Sequence, residues 1–169
     1  TTHNYNDGVR STIQDIYSKM FNVIVQTNKI IAHAEADGGA FPDEATRSVI
    51  LGEAYAIRAY CQLDVLRLFG EVPGGDGEKV SLPYSEVKAF DERATRYDFS
   101  GYAEKLLTDL KRAEDLLKDN DPIFQYTYSF LNTPAYFEKA LEDTYMAYRQ
   151  SRLNYWAVKA LQARTYLYL

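Results

Sequence analysis

Between Val9 and Ala34 an apolar or small residue returns every three or four positions: Val9, Ile13, Ile16, Met20, Val23, Ile24, Thr27, Ile30, Ile31 and Ala34. An α-helix turns once in 3.6 residues, so this rhythm lines one face of a single helix of about seven turns. Asp37, Gly38 and Gly39 end it, because glycine takes the left-handed conformation that closes a helix. A second helix begins at Pro42 and Asp43 and runs to about Phe69. Val49, Ile50, Ala54, Ile57, Cys61, Val65 and Leu68 share one side of it, and Ala56, Ala59, Leu63 and Leu66 widen that side. A helix apolar around much of its circumference belongs at the centre of a fold. Its alanines admit a neighbouring helix closely, with bulk from that neighbour filling the space. The short turn between the first two helices makes them an antiparallel pair.

The rhythm then stops. From Gly70 to Tyr97 the chain carries Gly70, Pro73, Gly74, Gly75, Gly77 and Pro83 with charges between them, which reads as a long, largely irregular connection. Connections of that length are uncommon unless they serve a function or pack on a larger structure. Helical periodicity resumes from Tyr102 to Leu117, with Asp98 or Ser100 as the cap and Ala103, Leu106, Leu107, Leu110, Ala113, Leu116 and Leu117 on one face. KDNDP closes that helix. FQYTYSF, from Phe124 to Phe130, alternates like a strand but has no partner strand, and is read as loop. Thr133 and Pro134 match a cap with proline at the first helical position, so a fourth helix is expected to about Tyr148. A last helix starts near Asn154 and continues to Leu169 without a stop signal.

The expected fold is therefore all-α: antiparallel helix pairs joined by long irregular connections, in a single helical domain over 1–169. Ala56, Ala59 and Leu63 align with Ala160, Ala163 and Leu167 in one small–x–x–small–x–x–x–Leu spacing, as in stacked tetratricopeptide-like helix pairs. The apolar, uncapped ARTYLYL predicts that the chain is part of a longer protein, and that the last helix leaves an apolar face unburied.

Composition narrows the partners. The formal charge of −5 argues against a nucleic-acid surface, which needs a basic stripe. No apolar run reaches the length of a membrane span. The lone Cys61 sits inside a helical run and reads as a small buried hydrophobe. The 15 tyrosines suit either helix interfaces or stacking against ligands such as sugars.

Catalytic and cofactor motifs do not assemble. GEVPGGDGEKV has Glu78 where a phosphate-binding loop needs glycine, and Val80 where it needs a magnesium-holding hydroxyl. His33 and Glu35 lie two apart, on different helix faces, short of the three or four ligands that zinc requires. Asp119, Asn120 and Asp121 lack the spacing and distal glutamate of a calcium loop. Glu53, Arg58, Asp64 and Arg67 read as salt bridges between neighbouring helices. Trp156 reads as interface packing or, more sharply, as a sugar-stacking platform. With two histidines and one cysteine, bases and nucleophiles are few. No cofactor or metal is implied, and no enzyme.

Four ordered segments carry a family resemblance. GEAYAIRAYCQLDVLRLFGEVP (Gly52 to Pro73), LPYSEV (Leu82 to Val87), TRYDF…LLTDLKRAEDLL (Thr95 to Leu117) and RLNYWAVKALQARTYLYL (Arg152 to Leu169) together resemble the SusD-like (RagB/SusD) outer-membrane lipoproteins. The run Gly74, Gly75, Asp76, Gly77 departs from the apolar residue usual after the VP. The resemblance implies the tetratricopeptide-like helical region of such a protein. It implies lipid anchoring to the outer face of the outer membrane, through a cysteine absent from this chain. It also implies glycan binding without catalysis, and delivery to a TonB-dependent SusC-like β-barrel. It supplies no fixed binding motif. Chemistry alone picks the aromatics of the irregular stretches, Tyr84, Tyr126 and Tyr128, as ligand-stacking candidates. The competing functions are a stand-alone tetratricopeptide-like adaptor for proteins and, without support from any spacing, a small glycoside hydrolase.

Overall fold

A computed structural model describes residues 7–36, 39–74, 79–89, 91–133 and 144–169. Helix α1 spans Asp7–Ala36, α2 Glu44–Phe69, α3 Phe99–Lys118, α4 Tyr128–Asn132 and α5 Tyr155–Tyr168. The fold is all-α, and its only sheet among the described residues is a two-residue antiparallel ladder, Leu82–Pro83 (β1) against Arg96–Tyr97 (β2).

Three of the long helices start where side-chain chemistry starts them. Asp43 accepts from the Thr46 amide at 2.6 Å, Asp98 from Gly101 at 2.9 Å and Asn154 from Ala157 at 2.9 Å. Each bond satisfies an amide that the first helical turn leaves without a partner. Asp98 places the start of α3 at Phe99, three residues before the Tyr102 start read from the periodicity.

Helix α2 lies between α1 and α3, and α5 packs chiefly on α3. Each of these neighbouring pairs, α1–α2, α2–α3 and α3–α5, is antiparallel. Ile24 meets Ala59 and Leu63, while Ile31 and Ala34 meet Leu51 and Ala54. On the other flank Leu63 and Leu66 meet Leu106 and Leu110, while Val49 and Ala56 meet Ala113 and Leu117. The centre of the stack is thus the helix with the broadest apolar surface. Ala54, Ala56 and Ala59 are at most 2% exposed, and Gly52 brings α2 so near α3 that a β-carbon there would stand 2.6 Å from Leu117 Cγ.

Three expectations change. The apolar row of α1 is only partly covered: Ile24, Thr27, Ile31 and Ala34 are buried, whereas Val9, Ile13, Ile16, Val23 and Ile30 are exposed. Tyr17 meets Phe69, the last residue of α2, so the turns before it overhang the neighbour. Val23 and Ile30 continue a seven-residue step from Val9 and Ile16, and a 3.6-residue helix rotates that row away from its partner. FQYTYSF is not a loop throughout. Asp121 caps a 3₁₀ turn over Pro122–Phe124, and Thr127 caps α4 by accepting from the Phe130 amide. The start of the fourth expected helix at Pro134 and its course to 143 lie outside the described residues. Beyond them, Thr144–Met146 and Arg149–Ser151 are 3₁₀ turns, separated by Tyr148 in the left-handed region (φ 57°).

Candidate functional site: an aromatic platform at the head of the α3–α5 groove

The three tyrosines singled out by chemistry part company. Tyr84 is 1% exposed, and so is not the exposed loop aromatic that the sequence reading expected. It lies edge-on to Tyr102 and donates its hydroxyl to Asp109 Oδ2. Burial, then the Asp109 charge, pushes that phenol well above its ordinary pKa. Asp109 also takes a two-pronged bond from Arg58, at 2.6 Å for each prong. Arg58 holds Asn28 Oδ1 at 3.0 Å, and the Asn28 amide holds the carbonyls of Ser85 and Val87. Tyr84 is therefore part of the anchor for the long connection. Tyr126 is half-buried and stacks on Phe130 with ring centroids 4.4 Å apart. Tyr128, the first residue of α4, is 74% exposed.

The exposed aromatic cluster forms around a different residue, Trp156. The Phe124 ring lies 5.0 Å from Tyr155 and 5.8 Å from Trp156, and Tyr155 and Trp156 meet edge-on at 5.2 Å. Phe124 and Trp156 are 47% and 58% exposed, so both rings are open to a ligand. The sequence reading considered Trp156 but missed Phe124 and Tyr155. Their signal was local: Phe124 follows the KDNDP stop, and Tyr155 follows the Asn154 cap.

A buried charge cluster fixes this platform from beneath. Arg149, fully buried, donates to both oxygens of Asp121, at 3.0 and 2.9 Å, and to Glu53 of α2. Glu53 also accepts from Arg152 at 2.7 Å and from the Tyr145 hydroxyl at 2.5 Å. Asp121 in turn accepts the Tyr155 amide at 2.9 Å and the Ile123 amide at 3.1 Å. One carboxylate therefore positions both the turn that carries Phe124 and the first residue of α5. With both oxygens engaged by protein donors, Asp121 is committed to this role and not to calcium.

A groove of about 860 Å³ lies between α3 and α5, lined among others by Leu107, Lys111, Glu114, Lys159, Gln162 and Tyr166; the three platform rings do not line it, and Tyr155 stands one helical turn before Lys159. Tyr155, Lys159, Gln162 and Tyr166 recur at helical spacing, so aromatic rings stand at each end of a polar middle. Glu114 accepts from Gln162 at 2.8 Å and Lys159 at 3.0 Å. The hydrogen bond from Gln162, then that from Lys159, holds its carboxyl below the usual range. A carboxylate so held is ionised at neutral pH and is a poor general acid. The groove offers flat apolar faces with amide, ammonium and carboxylate partners between them, a set suited to stacking and hydrogen bonding.

Of the charges read as bridges between neighbouring helices, Arg58 reaches Asp109 of α3, Glu53 reaches Arg149 and Arg152, and Asp64 reaches Arg164 of α5 at 3.1 Å, whereas Arg67 pairs with Asp64 inside α2 itself. Glu35 accepts from the Tyr55 hydroxyl at 2.5 Å, and among the described residues no three potential metal ligands are grouped. No described helix is long and apolar enough to cross a membrane. No protein-family model matches the chain, and no curated protein matches it.

Proposed function

We propose that the chain is the tetratricopeptide-like helical scaffold of a SusD-like capture protein. Such a protein would hold a glycan at the outer face of the outer membrane and pass it, unaltered, to a TonB-dependent SusC-like barrel. The observation that carries the glycan reading is the open Phe124–Tyr155–Trp156 cluster, with a polar groove beginning one helical turn beyond Tyr155. Sugar rings have apolar C–H faces and hydroxyl edges. Aromatic faces cover the first, and Lys159, Gln162 and Glu114 suit the second. The four ordered segments that resemble the family supply the cellular setting and the barrel partner.

The test is a panel of oligosaccharides titrated into the chain by calorimetry, repeated with Trp156→Ala and Phe124→Ala. Binding that falls at least tenfold in both variants, with the sugar recovered intact, supports the proposal. A panel without binding, or binding indifferent to both changes, refutes it. The second reading, a peptide-binding adaptor, rests on the same groove, because an antiparallel helix pair with paired charges between them also suits an extended peptide. It predicts peptide binding that depends on Lys111 and Lys159 and survives Trp156→Ala.

A further inference from the structure

A second hollow, of about 360 Å³, opens between α1 and the long connection. Tyr17, Phe21 and Val25 line one wall, at the four-residue step that keeps them on one side of a helix. The Tyr17 and Phe21 rings stack with centroids 4.4 Å apart, which gives that wall a flat surface, and Val25 is 3% exposed. Pro83, Ser85 and Val87 line the other wall. Tyr84 turns the opposite way, into the core, where its hydroxyl reaches Asp109. This alternation aims the Ser85 side chain at the hollow.

Ser85 is 1% exposed, and its hydroxyl oxygen is buried without a hydrogen-bond partner among the described residues. Its carbonyl, by contrast, accepts from Asn28 at 3.1 Å and from Gln62 at 3.2 Å. Buried hydroxyls are nearly always paired, because an unpaired one forfeits the bond that water gave it in the unfolded chain. The fold thus fixes a group that can both donate and accept, by a grip on its own main chain, and leaves it unmet. Glu92, exposed at the rim of the same hollow, accepts the Lys88 amide at 3.3 Å and adds a carboxylate there.

We propose that this hollow binds a small aromatic alcohol: one ring whose hydroxyl pairs with Ser85 Oγ, held more tightly when its far end carries a positive charge. Small-molecule pockets run from about 300 Å³ upward, so the space suits one ring with a short arm. A helix, about 10 Å across, is too wide for it. The flat Tyr17–Phe21 wall and the apolar side chains of Pro83, Val25 and Val87 cover the faces of such a ring. Its hydroxyl supplies the partner that Ser85 lacks. The Glu92 carboxylate attracts an ammonium at the rim and repels an anion. The site shares no residue with the Phe124–Tyr155–Trp156 platform and does not rest on the glycan reading.

The probes are tyramine and para-hydroxyphenylacetate, which join the same phenol to opposite charges. Each is titrated into the chain and followed by amide chemical shifts in NMR spectra. The expected result is saturable shifts at Phe21, Val25, Ser85 and Val87, with tyramine tighter by about threefold, the scale of an exposed charge pair. Glu92→Gln should erase that preference, and Trp156→Ala should leave both affinities unchanged. Ser85→Ala should weaken both probes by about fivefold, the worth of one hydrogen bond. The same variant should leave the urea midpoint of the free chain unchanged or higher, because the lost hydroxyl had no partner. No saturable shift up to the solubility of either probe, the result for a hollow that holds only water, would overturn the proposal. So would binding indifferent to Ser85→Ala, or a lower urea midpoint in that variant, which would show the hydroxyl already paired within the fold.

Discussion

Arg149→Met tests the claim that a buried charge cluster sets the platform. The arginine is fully buried, and its Asp121 and Glu53 partners are 1% and 5% exposed. Removing one partner of a buried ion pair costs about 3–5 kcal/mol, because the remaining charge stays in a medium that solvates it poorly. Two carboxylates are affected here, but neither is stripped. Asp121 keeps the Ile123 and Tyr155 amides, and Glu53 keeps Arg152 and Tyr145. The expected loss is therefore about 3–5 kcal/mol in total, rather than that amount twice. Against a typical stability of about 5–15 kcal/mol this is a large fraction. It corresponds to a melting point lower by roughly 10 °C for a chain of this size. Urea denaturation followed by circular dichroism measures it. One further arm separates unpaired charge from lost shape. The triple change Arg149→Met, Glu53→Gln, Asp121→Asn leaves no buried charge in the cluster and should recover much of the loss. A deficit under about 1 kcal/mol, the scale of a surface bridge, would refute the reasoning. So would a triple variant no more stable than the single one.

Two other measurements follow from the packing. Gly52→Ala places a β-carbon 2.6 Å from Leu117 Cγ and 3.4 Å from the Ala113 carbonyl, so despite alanine's better helix propensity it should destabilise by about 1–3 kcal/mol in the same denaturation assay. Unchanged stability would mean that α2 and α3 are less closely held. At high pH, Tyr55 and Tyr145 matter: burial first, then donation to Glu35 and Glu53 respectively, pushes both phenols up to about 12. A raised folded-state pKa gives stability that is complete below the unfolded value of 10.0 and is lost as pH rises toward 12. Denaturation midpoints should therefore hold to about pH 10 and fall above it, with tyrosinate absorbance appearing late. Ionisation of every tyrosine near 10 in the folded chain would contradict the hydrogen bonds.

What the sequence revealed and what it hid divide along a physical line. Starts of α2, α3 and α5 were legible because Asp43, Asp98 and Asn154 act on amides three residues away. The order of helices around α2 was legible because its own alanines announced close neighbours. Periodicity also identified the row from Val9 to Ile30, but it states which residues share a face and not whether another helix reaches that face. The 124–130 segment misled because alternating aromatics imitate a strand, while the deciding bond, Thr127 to the Phe130 amide, is a single local cap. Tyr84 was placed on the surface because its burial depends on Asp109, 25 residues on. The Glu53–Asp121–Arg149 cluster joins residues up to 96 apart, and no spacing rule pairs them. The platform inherits that difficulty, since Phe124 and Trp156 meet only when the cluster has formed.

The anchor of the long connection has a consequence for how this chain tolerates change. Asn28 grips the carbonyls of Ser85 and Val87, and Gln62 grips the Ser85 carbonyl again at 3.2 Å. Both glutamine and asparagine recognise main chain, which every amino acid supplies. The clamp reads no side chain at 85 or 87, although Ser85 is itself buried and Tyr84 beside it is held by its own hydroxyl. Variation can accumulate at the exposed positions of the connection, whereas one substitution at Asn28 releases two carbonyls together.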